Sequence, residues 1–465
     1  MKIRYLLFQI IAVIIFVPAL ATAQQNGEED PFKNDPLFNK PLNTFFNNER
    51  EADSSSSPQM RVRFLNDEGL DYGDFLEAGP YNSSPLYGLY PNLPMIHFNR
   101  VDGLFLGLRK ERMQWYDNAE FLGIPNIRPH GLIGYSFGLD EFQYTAGLEK
   151  FIGRKKHIIL GGEYHSATST DDYWRVGLNE TTLTAFTAGF DYLDYYKQQG
   201  WGAYLLFRTN RLFEGGIAFN DDQFSSLQQE TDFALFGSGG RFRPNPPVEL
   251  TNGNEVDSLD ISSLAFSGSF NPKRLLLSKA FTFSLNGSVE FADPGIGTSD
   301  FSYTKFLAEI VSFLNFERGG VLKYRFRAGS ITGDAPSVKE FQLGGLGSLR
   351  ALPYKSVAGN RLGDNQMLLS NAEVHFGAPE FGTGGWIDND DFFISLFLDS
   401  GWTNFSSDLE DSNSPFTGFS DFKFADLEHN GGFGLGSSLI RGELAWDLRN
   451  TSRAPVFWLR FNPTF

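Results

Sequence analysis

Short runs of alternating apolar and polar residues, broken at intervals by turn residues, constrain this chain more than any other feature of its sequence. In 281–291, Phe281, Phe283, Leu285, Val289 and Phe291 share one parity, while Thr282, Ser284, Asn286, Ser288 and Glu290 share the other. Side chains alternate across a strand, so such a run has one apolar and one polar face. Runs of this kind predict strands near 97–109, 130–138, 141–150, 156–166, 183–194, 201–209, 213–220 and 259–270. Eight more follow near 279–291, 301–313, 320–330, 368–376, 392–402, 431–439, 442–449 and 456–465. Sixteen is an even number, as an antiparallel bacterial barrel with both ends on one side requires.

The chain opens on Lys2 and Arg4, an apolar run from Tyr5 to Leu20, and Ala21-Thr22-Ala23, which reads as a secretory signal peptide over 1–23. No second apolar run approaches the roughly 20 residues of a membrane-spanning helix, so a membrane-embedded form must be a barrel. With 48 Phe, 49 Gly, 17 Tyr and 7 Trp but only 20% charged residues, the composition suits strands facing lipid on one side and water on the other. A soluble β-sandwich has the same period of two, but sixteen runs behind a signal peptide weigh against it. The formal charge of −17 argues against a nucleic-acid partner. The chain has no cysteine, which removes disulfides and thiolate metal sites.

Residues 24–91 form an acidic, Pro- and Ser-rich segment that reads as extended periplasmic or plug-like chain, with Phe32, Phe38, Phe45, Phe46, Phe64 and Phe75 spaced through it as candidate docking residues. The barrel is expected over 92–465. With the amino terminus periplasmic, the long loops at about 110–129, 221–258, 331–367 and 403–430 fall outside the cell. The tight turns 139–140, 210–212 and 440–441 fall inside; the connections near 167–182 and 377–391 are too long for this rule.

The stretch 341–401 stands apart. Phe341-Gln342-Leu343-Gly344-Gly345-Leu346-Gly347-Ser348-Leu349-Arg350 is a glycine-rich loop with one strong cation. It precedes Asn371-Ala372-Glu373-Val374-His375-Phe376 and Phe397-Leu398-Asp399-Ser400-Gly401. Alternation points Glu373 and Asp399 away from the apolar faces of their strands. A guanidinium held against two carboxylates makes sense where solvent is restricted and polar faces converge, as inside a barrel. Six histidines show no metal-ligand spacing, and no Gly-x-Ser-x-Gly elbow, P-loop or dinucleotide fingerprint appears. No cofactor or metal is expected. A paired-carboxylate acid/base role for Glu373 and Asp399 is weaker than an ion-pair lock, because Arg350 is available to both.

The Gly-Gly…Leu-Arg loop, the Asn-Ala-Glu strand and the Phe-Leu-Asp-Ser-Gly strand resemble the BamA/TamA-like outer-membrane assembly and translocation superfamily, in its bacterial surface-antigen barrel. The resemblance implies an all-β fold, a 16-stranded antiparallel transmembrane β-barrel with a long lumen-folded loop between strands 11 and 12. It implies Arg350 as the loop arginine, Asp399 and Gly401 as the Asp-x-Gly strand motif, and Glu373 as the acidic position one strand earlier, with Gly344 and Gly345 in the loop. The family usually follows its arginine with glycine and an aromatic, whereas Ala351 and Leu352 stand here. The 24–91 segment shows no helix–strand alternation of the periplasmic modules, so the resemblance covers the barrel alone. The last strand, with Phe457, Leu459, Phe461 and Phe465 outward, resembles the carboxy-terminal signal of outer-membrane barrels, interrupted by Pro463.

Two function classes follow. One is a non-enzymatic subunit of the bacterial outer membrane, in contact with lipid or lipopolysaccharide, that assists assembly, insertion or export of protein clients through a weak seam between first and last strands. The other is a scaffold or receptor barrel with one dedicated partner. A passive porin is disfavoured, because the 331–367 loop is expected to fill the lumen.

Overall fold

The computed structural model describes residues 95–461 except 111, 113–119, 154–156, 209–211, 237–241, 252–253, 273–276, 278–279, 317–319, 358–362, 378–391, 411–413, 418, 420–421 and 438–439. The expected segments 1–23 and 24–91, and the terminal Phe465, lie outside the described residues.

Sixteen strands form one antiparallel sheet in which each pairs with its neighbour in sequence. They are β1 (Met95–Asn99), β2 (Gly103–Lys110), β3 (Ile127–Ser136), β4 (Glu141–Ile152), β5 (Ile158–Ser169), β6 (Tyr196–Arg208), β7 (Phe213–Ser226) and β8 (Ser258–Phe270). The second half comprises β9 (Phe281–Ala292), β10 (Ser302–Phe316), β11 (Gly320–Asp334), β12 (Gln366–Gly377), β13 (Phe393–Asn404), β14 (Glu428–Gly436), β15 (Ile440–Asp447) and β16 (Val456–Phe461). The alternation works as read. Along β13, Phe393, Ser395, Phe397 and Asp399 are buried while Ile394, Leu396 and Leu398 are exposed. Exposed apolar side chains such as Leu106, Ile133, Leu160, Ile217, Leu396 and Phe457 recur on outward positions around the sheet.

Two expectations fail, and their errors cancel in the count. The run 97–109 is two strands joined by a tight turn at 100–102. Asn99 Oδ1 accepts from the backbone N–H of Val101 at 2.9 Å and of Asp102 at 2.6 Å. This Asx-type turn ends in Gly103 at φ 59°; Arg100 and Asp102 break the apolar parity of Phe98 and Leu104 there, a turn signal that reading 97–109 as one run passes over. The run 183–194 is not a strand. It holds most of α1 (Leu178–Ala188) and then an extended connection. Four β-branched threonines suggest a strand, but Thr184 and Thr187 return their hydroxyls to the carbonyls of Glu180 and Leu183 at 3.0 and 2.6 Å, and the helix closes on Gly189 at φ 73°.

The extra strand near the start moves the first connections to opposite ends. The loop 111–126 lies at the end that carries the outer termini of β1 and β16, and the turn 137–140 lies at the other, the reverse of the expectation. From β5 onward the sides are as read: 227–257, 335–365 and 405–427 share one end, here called upper, and 209–212 and 437–439 share the lower end. The connection 170–195 is long because it is an upper loop containing α1.

The loop 335–365 joins β11 to β12 and packs its leucines into the interior. Leu343, Leu346 and Leu349 are at most 1% exposed. Leu343 and Leu349 pack with Phe224, Leu259, Ile331 and Leu369 from four strands. Each such leucine contributes on the order of 2 kcal/mol by leaving water. Strands from both edges of the sheet reach this loop: Trp458 on β16 donates its indole N–H to the carbonyl of Arg350 at 2.8 Å, and Val101, beside β1, packs with Leu346. The sheet is therefore rolled into a barrel around the loop.

Candidate functional site

Arg350 is carried into the interior by a tight fold of the loop. Gly344 at φ 117° and Gly345 at φ 81° make the bend, and the N–H of Gly345 donates to the carbonyls of Leu349 and Leu352 at 3.0 and 3.1 Å. Ser348 Oγ accepts from the N–H of Gly344 at 2.9 Å, closing the tip. Ala351, where the resemblance would place glycine, donates its N–H to Asn430 Oδ1 on β14 at 2.9 Å and is nearly buried.

The guanidinium meets three carboxylates. Nε and Nη2 each lie 2.8 Å from the two oxygens of Asp399 on β13, a bidentate pair. Nη1 donates to Glu373 Oε1 on β12 at 2.7 Å and to Glu443 Oε2 on β15 at 3.3 Å. The ring of Phe397 lies beneath, its centroid 3.6 Å from the guanidinium carbon. Burial disfavours the charge, yet Asp399, Glu373 and Glu443 hold the pKa of Arg350 well above the usual arginine value. Asn371, inward from β12, ties Asp399 Oδ1 at 2.8 Å to the carbonyl of Ser348 at 2.9 Å.

Arg350, Glu373 and Asp399, the residues singled out in the sequence, thus meet in one place. Gly401 faces the loop: a Cβ there would lie 2.8 Å from Leu343 Cδ1 and 3.2 Å from Leu349 Cδ1. Phe461 ends β16 far in sequence from these residues, and its N–H donates to Glu180 Oε1 at 3.1 Å.

Sequence reasoning missed most of the site. Beyond Glu373, Arg441 Nη1 lies 3.4 Å from Glu373 Oε2, and Arg441 Nε lies 2.6 Å from Glu443 Oε1. Arg460 lies 3.9 Å from Glu443 and forms a bidentate pair with Glu180 of α1 at 2.6 and 3.0 Å. The order Asp399, Arg350, Glu373, Arg441, Glu443, Arg460, Glu180 is a row of alternating charge, each member at most 3% exposed, from the loop to the last strand and α1. His375 Nε2 joins it at Glu373 Oε2, 2.8 Å away. The available signal was the inward parity of Arg441 and Glu443 on β15 and of Arg460 on β16.

A second network lies among the upper loops. Lys355 reaches Asp172 at 2.7 Å and Asp194 at 2.6 Å, Arg175 reaches Asp172 at 3.1 Å, and Arg243 pairs with Asp194. Arg100 joins Asp191 at 3.3 Å, Asp194 at 3.1 Å and Asn245 at 2.8 Å. Upper loops from three connections are thereby tied to the 335–365 loop. Among the described residues no group of three or more His, Asp or Glu is arranged to hold a metal ion.

Fold and site together define a sixteen-stranded antiparallel barrel with an inward loop fixed by a buried arginine. No protein-family model and no curated protein matches the sequence. Among solved structures, BamA from Haemophilus ducreyi lacking POTRA domains 1–3 is similar at 14% identity and TM-score 0.49, over 79% of this chain and 68% of that one. CdiB from Acinetobacter baumannii and CdiB from Escherichia coli are each similar at 12% identity and TM-score 0.40, over 79% and 80% of this chain. This chain spans 57% and 62% of those two CdiB chains, less than two thirds of either.

Proposed function

We propose that this chain is an integral outer-membrane barrel that acts as a subunit in the assembly, insertion or export of other envelope proteins. The observation that carries the reading is the pairing pattern at the ends of the sheet. Among the described residues no ladder joins β1 to β16, so the two edge strands are not paired with each other and could template a client strand. The outward belt of apolar side chains supports the lipid environment, since a surface that apolar is unstable in water. Arg350 with Glu373 and Asp399 is read as a structural lock that holds the loop in place, with no catalytic role.

Purification from native outer membrane in mild detergent tests the reading. Periplasmic chaperones or nascent barrels among the captured proteins support assembly. A single stoichiometric surface protein supports a second reading, a scaffold or receptor barrel with a dedicated partner, which the inward-packed loop favours. The unboiled protein is expected to migrate faster in a gel than the boiled one; identical positions, or release by carbonate, count against the membrane reading.

A further inference from the structure

The helix α1 stands in the seam between β1 and β16. Leu178, at its start, packs on the inner side with Met95, Phe105 and Leu132. Ala185, two turns on, packs with Phe98 and Phe242, and the ring of Phe186 meets that of Phe98 edge-on at 5.5 Å. Phe98 lies opposite Leu104, an exposed outward residue of β2, and so belongs to the outer face. The helix therefore begins inside the barrel and ends outside it.

Its side chains occupy backbone donors that a neighbouring strand would otherwise take. Thr182 Oγ1 accepts from the N–H of Phe98 on β1 at 3.4 Å, and Glu180 Oε1 accepts from the N–H of Phe461 on β16 at 3.1 Å. Glu180 also carries the bidentate pair to Arg460. On the outer side the helix exposes Leu183 at 39% and Phe186 at 39%, beside Phe233 at 50%. The N–H groups of Leu235 and Phe236 donate to the carbonyls of Phe186 and Thr187 at its C-terminal end, at 2.9 and 2.8 Å.

Gly189 closes this helix and Glu180 places a carboxylate in its first turn, but little else local favours it. Its N-terminus has no side-chain cap, its last turn has no basic residue, and four of its eleven residues are threonine. It depends on packing and on Glu180 to stay where it is.

We infer that α1 is a removable wedge, a segment of this chain that occupies the seam at rest and whose withdrawal frees the edges of β1 and β16 together. The inference rests on the assembly reading for its use but not for its physical test. Withdrawal breaks the Glu180–Arg460 pair, the last link of the charge row, so the position of the wedge is linked to the loop that Arg350 holds.

Hydrogen exchange of the full chain in lipid nanodiscs provides that test. Amides of 182–188 are expected to exchange about 100-fold faster than those of β9 to β11, because a wedge opens without global unfolding. Glu180→Gln should speed them about tenfold further while leaving β9 to β11 unchanged. Cysteines at Phe98 and Ala185, joined by a short bismaleimide in this otherwise cysteine-free chain, should slow them to the rate of the strands. Helix amides as slow as the strands in the unmodified protein, or indifferent to Glu180→Gln, overturn the wedge. Fast exchange with client assembly unchanged after cross-linking leaves the wedge standing and removes the assembly reading instead.

Discussion

Trp458 on the last strand donates its indole N–H to the backbone carbonyl of Arg350, 108 residues earlier, at 2.8 Å. The loop that crosses the barrel is thus tied at its tip to one edge of the sheet. Trp458→Phe keeps an aromatic ring, though a smaller one, and removes the donor, leaving a buried carbonyl unpaired. A loss of about 1–2 kcal/mol is expected in urea unfolding followed by heat-modifiability. Unchanged stability would mean that water replaces the indole.

Arg350→Ala leaves Asp399, Glu373 and Glu443 buried without their shared cation. The expected loss is about 3–5 kcal/mol, with a protease-sensitive 335–365 loop and a lower yield of folded barrel. Asp399→Asn should act in the same direction and less strongly, because it keeps an acceptor. A double-mutant cycle measures the coupling, and strictly additive effects would refute the lock.

Asp172 and Asp194 give the upper mouth a pH dependence. Burial pushes both carboxyls up, but Lys355 with Arg175 at Asp172, and Lys355 with Arg243 and Arg100 at Asp194, outweigh it and hold both below the usual carboxylate range. Groups depressed in the folded state contribute stability that is present above their unfolded pKa of about 4 and lost as pH falls through the folded one. Proteolysis of 170–195 and 335–365 should therefore be constant from pH 7 to about 5 and rise below about 4. Asp194→Asn should flatten that rise; a rise that starts near pH 6 would point to histidine instead.

Gly401 sits under the loop with no room for a side chain. Gly401→Val should displace Leu343 and Leu349 and cost about 1–3 kcal/mol, with the loop protected less from protease. A variant as stable and as resistant as the parent would mean that the loop tip shifts freely.

What was legible in the sequence followed from period two. Strands such as β9 and β13 show their inner and outer faces residue by residue, and the inward parity of Glu373 and Asp399 located them without any long-range information. The turn at Asn99–Asp102 was signalled by Arg100 and Asp102 on the parity of Phe98 and Leu104 and by the Asp102-Gly103 pair, but the alternation on either side of it reads as one run. The helix α1 was not legible because its threonines favour strands and its helical form depends on packing in the seam. Arg441, Glu443, Arg460 and Glu180 carry no motif. Their relation exists only once β15, β16 and α1 are side by side.

The row of alternating charges also has a place in time. Arg350 and Glu443 are 93 residues apart, and Glu180 and Arg460 are 280 apart. Contacts of such separation form after the local hairpins, because the intervening chain must be gathered first. Until β15 and β16 arrive, Arg350 has only Glu373 and Asp399, and Glu180 has no cation from the last strand. Completion of the row is therefore expected late in the folding of this barrel, and a truncation that removes the final strand leaves Glu180 without Arg460, its bidentate partner.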